Sequence, residues 1–348
     1  PFLPAKIRDG REDEIRECIG CNICRAANNE AVPLRCTQNP TMGEEWRRGW
    51  HPVRIESKVS EKRVLVVGAG PAGLEAALAL GQRGYEVHLA EASRDLGGRL
   101  LFEHRLPGLS TWIRVRDHRE HMLSKLANVS IYRESRLTAQ DVVDFSADHV
   151  VIATGSRWRR DGIGTARETP IQISSDTSMI TPDDLDDLKD PILVYDDDNY
   201  FMGGALAERL RLEGHHVIYA TTQPIVSAWT QMTDEQYLVE EGLVSIGVDV
   251  RVSHTLQGAD RTLAIFRHVL SKEPTTIAFG TLLMVTGRVP QDDLYADLGA
   301  MNGAPPFTAI GDCFSPSHIA DAVYAGHRFA REFDQSEPQQ LRRERPSP

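Results

Sequence analysis

Short, continuous apolar runs that lead into glycine-rich turns and then helical patterns recur from residue 62 onward, whereas residues 1–60 carry almost no periodicity. Val64–Val67 is such a run, of the kind that forms a parallel strand buried on both faces. It enters Gly68-Ala69-Gly70-Pro71-Ala72-Gly73 directly, and an Ala/Leu-rich helix is predicted from Pro71 to Arg83. Gly84 ends that helix, Tyr85–Ala90 forms the next strand, and Glu91 closes it. Residues 111–147 predict a helix and weak strands, and Val150–Gly155 a strand ending in a small-residue turn. The plan then repeats: strand Ile192–Tyr195, helix Ala205–Leu212 stopped at Gly214, returning strand Val217–Ala220. Residues 226–280 predict further strands and a helix, and Thr281–Arg288 a last strand with its exit turn. Thr308–Asp312 precedes a helix expected over Ser317–Phe333 that returns the chain to its first half. Before residue 60 the one helical pattern is Asp9–Glu17; after Gln335 the chain is polar and expected to be disordered over 336–348.

The order strand, glycines, helix, strand, acidic residue is the dinucleotide fingerprint, far stronger together than a lone GxGxxG. Gly68 permits the tight turn, Gly70 lets a diphosphate approach the helix N-terminus, and Gly73 lets helix and strand pack closely. Glu91, 18 residues after Gly73, would accept hydrogen bonds from the adenosine ribose. Leu96-Gly97-Gly98-Arg99 either faces the nucleotide, with Arg99 as a contact, or is a plain loop. Asp312 either bonds a ribose or ribityl hydroxyl or acts as a simple helix cap. The fold expected is α/β, with two Rossmann-like dinucleotide-binding domains on the glutathione-reductase plan. The first takes residues 61–158 and 289–335, and the second, 159–288, is inserted in it.

The second phosphate loop breaks the pattern. Asp196 and Asp198 stand where the first two glycines belong, with Asp197 between them, and Gly203 or Gly204 is all that remains near the third position. Side chains there obstruct a diphosphate, and carboxylates repel it from the helix terminus that should attract it. The domain is expected to keep its fold and lose its nucleotide.

Cysteine usage changes the picture of residues 1–60. Four of five cysteines, Cys18, Cys21, Cys24 and Cys36, fall within nineteen residues, with two x2 gaps and an eleven-residue return. That spacing suits a [4Fe–4S] cluster held by four thiolates. Zinc is the main rival, although structural zinc usually takes two separated pairs, and plain buried cysteines are the third reading. Cys313 is expected to be a buried, inert thiol. Residues 1–60 then form an irregular cluster-binding segment lying against something larger, with Trp46, Arg47, Arg48 and Trp50 packing between domains.

The net charge of −11 argues against nucleic-acid or anionic-membrane partners, and Arg157–Arg160 is expected to be a solvated loop. No apolar run approaches a membrane span and no signal-peptide pattern opens the chain, so a cytoplasmic, reducing location is expected. The twelve histidines, His215, His216, His318 and His327 among them, form no triad or ligand spacing. No catalytic residue is therefore assigned.

Cys18-Ile-Gly-Cys21-Asn-Ile-Cys24 with Cys36-Thr-Gln-Asn-Pro40, Gly43-Glu-Glu-Trp-Arg-Arg-Gly-Trp-His-Pro52 and Gly68-Ala-Gly-Pro-Ala-Gly73 together resemble the trimethylamine dehydrogenase family. That family includes dimethylamine and histamine dehydrogenases and, more distantly, the 2,4-dienoyl-CoA reductases. The resemblance implies that Cys18, Cys21, Cys24 and Cys36 hold the cluster. It also implies that Gly68, Gly70, Gly73 and Glu91 bind ADP, with FAD as the alternative. An FMN-bearing (β/α)8 barrel would precede Pro1, making this chain the C-terminal half of an amine dehydrogenase that is not catalytic alone. Electrons would run from amine to FMN, to the cluster and out to electron-transferring flavoprotein, in a homodimer. The alternatives are an NADPH- and FAD-dependent reductase, which needs a working second glycine loop, and a non-catalytic electron-transfer subunit.

Overall fold

The computed structural model describes residues 2–335, and the expected tail over 336–348 lies outside them. The leading segment holds three short helices, α1 (Leu3–Arg8), α2 (Ile23–Asn29) and α3 (Glu44–Arg47). There follow β1 (Arg63–Val67), α4 (Pro71–Arg83), β2 (Glu86–Ala90), α5 (Leu100–Glu103), α6 (Arg114–Ser124), β3 (Val129–Tyr132), α7 (Ala139–Phe145), β4 (His149–Ile152) and β5 (Ser156–Trp158). Next come β6 (Gln172–Ile173), β7 (Met179–Ile180), β8 (Ile192–Asp196), α8 (Phe201–Leu212), β9 (Val217–Thr221), α9 (Gln236–Ser245), β10 (Asp249–Arg251), β11 (His254–Asp260), β12 (Leu263–His268), β13 (Pro274–Ala278) and β14 (Thr281–Val285). The chain then runs through β15 (Arg288–Pro290), α10 (Asp293–Ala300), β16 (Phe307–Ala309) and α11 (Ile319–Glu332).

Two compact units emerge. One takes residues 2–105, 109–156 and 290–335; the other takes 106–108 and 157–289. In the first, a five-stranded sheet runs β16-β4-β1-β2-β3, parallel throughout, with Val66 beside Leu89 on one side and Val151 on the other. Val64–Val67 is buried at every position, which is why the run shows no alternation. Helix α4 is likewise buried nearly all round. It lies against α11 at backbone distance: a methyl on Gly326 would strike Ala72 O. The predicted stop at Gly84 holds, since φ is +96° there and the Gly84 and Tyr85 N–H groups return to Gly81 O and Leu80 O.

The second unit stacks a parallel sheet, β10-β9-β8-β14-β7, with a sheet ordered β13-β12-β11-β6 in which β11 and β12 form a hairpin. Tyr195, Phe266, Leu282 and Met284 fill the core between them. Arg159 and Arg160 of the basic run pair with Asp161 and Asp184.

Two expectations need correction. The helix expected over Asp9–Glu17 is instead α1, ending at Arg8, followed by a single 3₁₀ turn at Glu12–Glu14. Gly10 sits at φ +67°, a left-handed conformation that interrupts a helix. In 111–147 the strands are fewer and the helices more: α7 was not expected, although Thr138 and Asp141 cap it reciprocally in a capping box that the T-x-x-D spacing announces. Trp50 is buried against Tyr324 and His327 of α11, and Arg48 pairs with Glu44 and Glu332, so this stretch fastens the leading segment to the last helix. Among the described residues no helix is long and apolar enough to cross a membrane.

Candidate functional site

The glycine loop between β1 and α4 is shaped by close approach. Gly68 adopts φ +99°, and a methyl there would meet Ala153 O at the end of β4; one on Gly73 would run into Gly68 O. Gly70 differs: nothing lies within 4 Å of a methyl built there, so its face is open. No side chain caps the N-terminus of α4, which presents its N–H groups and positive dipole end beside that opening. The Glu91 carboxylate accepts from Ala69 N at 2.7 Å and Ser93 N at 2.8 Å, pinning the loop. Each of its oxygens has a second lone pair with which a ribose hydroxyl can be met. These residues fit an adenosine diphosphate.

The Leu96–Arg99 turn lies against this loop. Gly97 N donates to Ala69 O at 2.9 Å, and a methyl on Gly98 would come within 3.1 Å of Gly70 Cα. Arg99 spans to Glu103 at 2.9 Å and Asp312 at 2.8 Å, and also donates to Ser317 O. Asp312 further accepts from Ser156 Oγ and Ser317 N, both at 3.1 Å. It is not the cap of α11, a position His318 occupies. Glu103 was absent from the sequence-derived site, although its i,i+4 spacing from Arg99 on α5 is the available signal. Burial pushes its carboxyl up to about 7; the Arg99 guanidinium opposes that and Asp312 adds to it. Cys313 is buried, accepts from Thr154 Oγ1 at 3.2 Å, and burial raises its thiol.

In the leading segment, Gly20 N donates to Cys18 Sγ and Asn39 N to Cys36 Sγ, each at 3.4 Å, and Thr37 Oγ1 lies 3.1 Å from Cys21 Sγ. Burial raises the Cys21 thiol, and Cys36 and Cys24 stand close enough to raise it further. Cys18 and Cys24 are exposed. Among the described residues no group of three or more His, Cys, Asp or Glu is gathered to hold a single metal ion. A tetrahedral zinc with Zn–S of about 2.3 Å needs its thiolates within about 4 Å of one another. A [4Fe–4S] cluster is held by four thiolates whose sulfurs accept from nearby N–H groups, and Gly20 N and Asn39 N are donors of that kind. Within the first unit the segment is fastened through Thr111 Oγ1 to Ile19 O at 2.9 Å, Arg114 to Cys18 O, and the buried Arg119 to Gln38.

The loop after β8 is closed by its own carboxylate. Asp196, fully buried, accepts from Asn199 N at 2.9 Å, Asp198 N at 3.1 Å and the Tyr219 hydroxyl, and a methyl on Gly203 in the first turn of α8 would strike it. Asp197 accepts from Ala166 N and Thr222 Oγ1, and the Asp197 and Asp198 N–H groups both donate to Val285 O. Donors that would otherwise face a phosphate are thus spent on protein oxygens. Helix α8 starts at Phe201, earlier than the expected Ala205, because this side-chain scaffold stands in for the glycine turn. Burial raises Asp196 to about 6, against 3.8 normally. A raised carboxylate contributes stability that is lost as pH rises through the folded value. Asp196→Asn is therefore expected to flatten the fall in melting temperature between pH 4 and about 6, measured against the parent protein by calorimetry.

Residues 62–304 match the family model described as pyridine nucleotide-disulphide oxidoreductase. Dimethylamine dehydrogenase of Hyphomicrobium sp. (strain x) is 36% identical over 97% of this chain and 51% of that protein. The histamine dehydrogenase structure from Rhizobium sp. 4-9 superposes with TM-score 0.96 at 44% identity, covering 100% of this chain and 56% of that one. The 6-hydroxypseudooxynicotine amine oxidase of Pseudomonas geniculata N1 gives TM-score 0.93 at 38% identity, over 96% of this chain and 51% of that one. The chain thus spans about half the length of these relatives. It belongs to the pyridine nucleotide-disulphide oxidoreductase family and is homologous to the C-terminal half of the dimethylamine and histamine dehydrogenases.

Proposed function

We propose that this chain is the electron-transfer half of an amine dehydrogenase. Cys18, Cys21, Cys24 and Cys36 would hold a [4Fe–4S] cluster, which supplies one-electron carriage between an FMN bound in a preceding barrel domain and electron-transferring flavoprotein. Gly68, Gly70, Gly73 and Glu91 would bind ADP, with the diphosphate over the open face of Gly70. The observation that carries the choice over an NADPH-dependent reductase is the Asp196 carboxylate, which takes the backbone donors of the second phosphate loop. A unit so closed offers no seat to a nicotinamide dinucleotide, so electrons must enter from a flavin that this chain does not hold. Gly20 N, Asn39 N and Thr37 Oγ1 would donate to the cluster thiolates, stabilising negative charge on sulfur. Thiolate ligands call for a reducing compartment, and the cytoplasm is the one we assign.

The test is the composition of the full-length protein containing this chain. Iron and acid-labile sulfide are expected at about four each per chain, with ADP released by acid and FMN remaining attached. Released FAD that NADPH bleaches before extraction would overturn the assignment in favour of the reductase.

A further inference from the structure

We infer that the Arg99–Asp312 ion pair sets the nucleotide specificity of the first unit, ending its site at the second phosphate so that a nucleoside diphosphate is accepted and a dinucleotide flavin is not. The inference rests on the reading of Gly68–Gly73 as an adenosine diphosphate site. Strand order fixes the direction of the ligand. Glu91 ends β2 on one side of β1, and β4 and β16 lie on the other. With the ribose at Glu91 and the diphosphate at the α4 N-terminus, anything attached beyond the second phosphate must run toward the ends of β4 and β16. Thr154, Ser156 and Asp312 stand there.

A ribityl chain laid along that path needs hydrogen-bond acceptors, and the Asp312 carboxylate is the charged acceptor at its end. Both its oxygens already serve the protein: one accepts from Arg99 at 2.8 Å and Ser156 Oγ at 3.1 Å, the other from Ser317 N at 3.1 Å. Arg99 is held on three sides, by Asp312, Glu103 at 2.9 Å and Ser317 O at 3.1 Å. Its backbone follows Gly98, which abuts the open Gly70. Admitting a ribityl group would push the guanidinium out and leave two buried carboxylates, Glu103 and Asp312, without their cation. ADP ends before the pair and leaves it intact. Its terminal phosphate, held only by the anhydride, has an extra ionisable oxygen and so carries more negative charge than the ribityl-esterified second phosphate of FAD, which the Arg99 guanidinium favours.

The experiment compares nucleotides extracted from the full-length protein, and titrations of the nucleotide-stripped protein with ADP and with FAD. Arg99→Gln removes the cation; Arg99→Gln with Glu103→Gln removes the charge imbalance too, so that a folded variant is available. The parent protein is expected to release ADP. In the variants the ratio of FAD affinity to ADP affinity is expected to rise at least tenfold, with FAD appearing in the extract. A folded double variant that keeps the parent's preference overturns the role of Arg99, whereas FAD in the parent's own extract overturns the ADP reading beneath it.

Discussion

Gly73→Ala is expected to prevent stable folding of the first unit, and Gly70→Ala to leave the fold intact while abolishing nucleotide retention. The two glycines stand three residues apart in one loop, yet their surroundings are opposite. A methyl on Gly73 would penetrate Gly68 O and come within 3.0 Å of Gly68 C and 3.3 Å of Ala153 Cβ. Gly68 cannot retreat, because its N–H is bonded to Ala90 O at 2.8 Å and its own α-carbon faces Ala153 O. Helix α4 cannot lift either, since Gly326 of α11 rides on Ala72 at backbone distance. Overpacking usually destabilises by about 1–3 kcal/mol, and a backbone-to-backbone conflict belongs at or above the top of that range. At Gly70, by contrast, φ is −71° and nothing lies within 4 Å of an added methyl. That substitution therefore obstructs only what enters from outside. Thermal melts combined with extraction of bound nucleotide separate the outcomes; a Gly70→Ala protein that retains its nucleotide would show that the diphosphate lies elsewhere.

The parts of this molecule that are legible in sequence are those built from neighbours along the chain. Val64–Val67 announces a strand because both its faces are buried, Gly68 and Gly84 announce turns because their φ is left-handed, and Gly73 announces close packing of α4 because a methyl there would strike Gly68 O. The four clustered cysteines carry their chemistry in their spacing. What long-range pairing decides was out of reach. Arg99 and Asp312 are 213 residues apart, and each looked like a separate nucleotide contact until the structure joined them. In sequence the Asp196–Asp198 stretch suggests side chains that obstruct a diphosphate and carboxylates that repel it; the structure adds a carboxylate seated on the N–H groups of Asp198 and Asn199. Gly10 ended the expected Asp9–Glu17 helix before it began, a local signal outweighed by the apparent periodicity.

Arg119→Met is expected to destabilise the protein by about 3–5 kcal/mol, the range for stripping one partner from a buried ion pair, and to release iron before the first unit melts. Arg119 is fully buried and Glu75 nearly so; the guanidinium bonds Glu75 at 2.7 Å, Val115 O at 2.8 Å and Gln38 Oε1 at 3.1 Å. On the far side, His327 lies 2.8 Å from Glu75 and receives Arg331 at 3.1 Å, and Trp50 packs on the same imidazole. One buried carboxylate on α4 thereby joins α6, α11 and the cysteine segment, with Gln38 two residues beyond Cys36. Burial alone would raise Glu75, but Arg119 and His327 hold it well below the ordinary carboxylate value of 4.5. His327, for its part, is lowered by burial. Both shifts act in one direction: a depressed carboxylate contributes stability above its unfolded pKa and loses it as pH falls, and a histidine kept neutral must take up a proton on unfolding below about 6.5. Glu75 and His327 therefore contribute a loss of stability below pH 6.5, which Asp196 and Glu103, both raised by burial, oppose over part of the same range. In Arg119→Met the Glu75 carboxylate is buried without its main counter-charge, so its pKa rises and the acid limb of the melting curve flattens. Pairing the substitution with Glu75→Gln should recover part of the loss at pH 7, since no uncompensated charge remains, whereas iron retention should stay low because Gln38 is still unanchored. Equal recovery of both stability and iron would mean that Arg119 acts on the cysteine segment only through the charge of Glu75, and not through its bonds to Gln38.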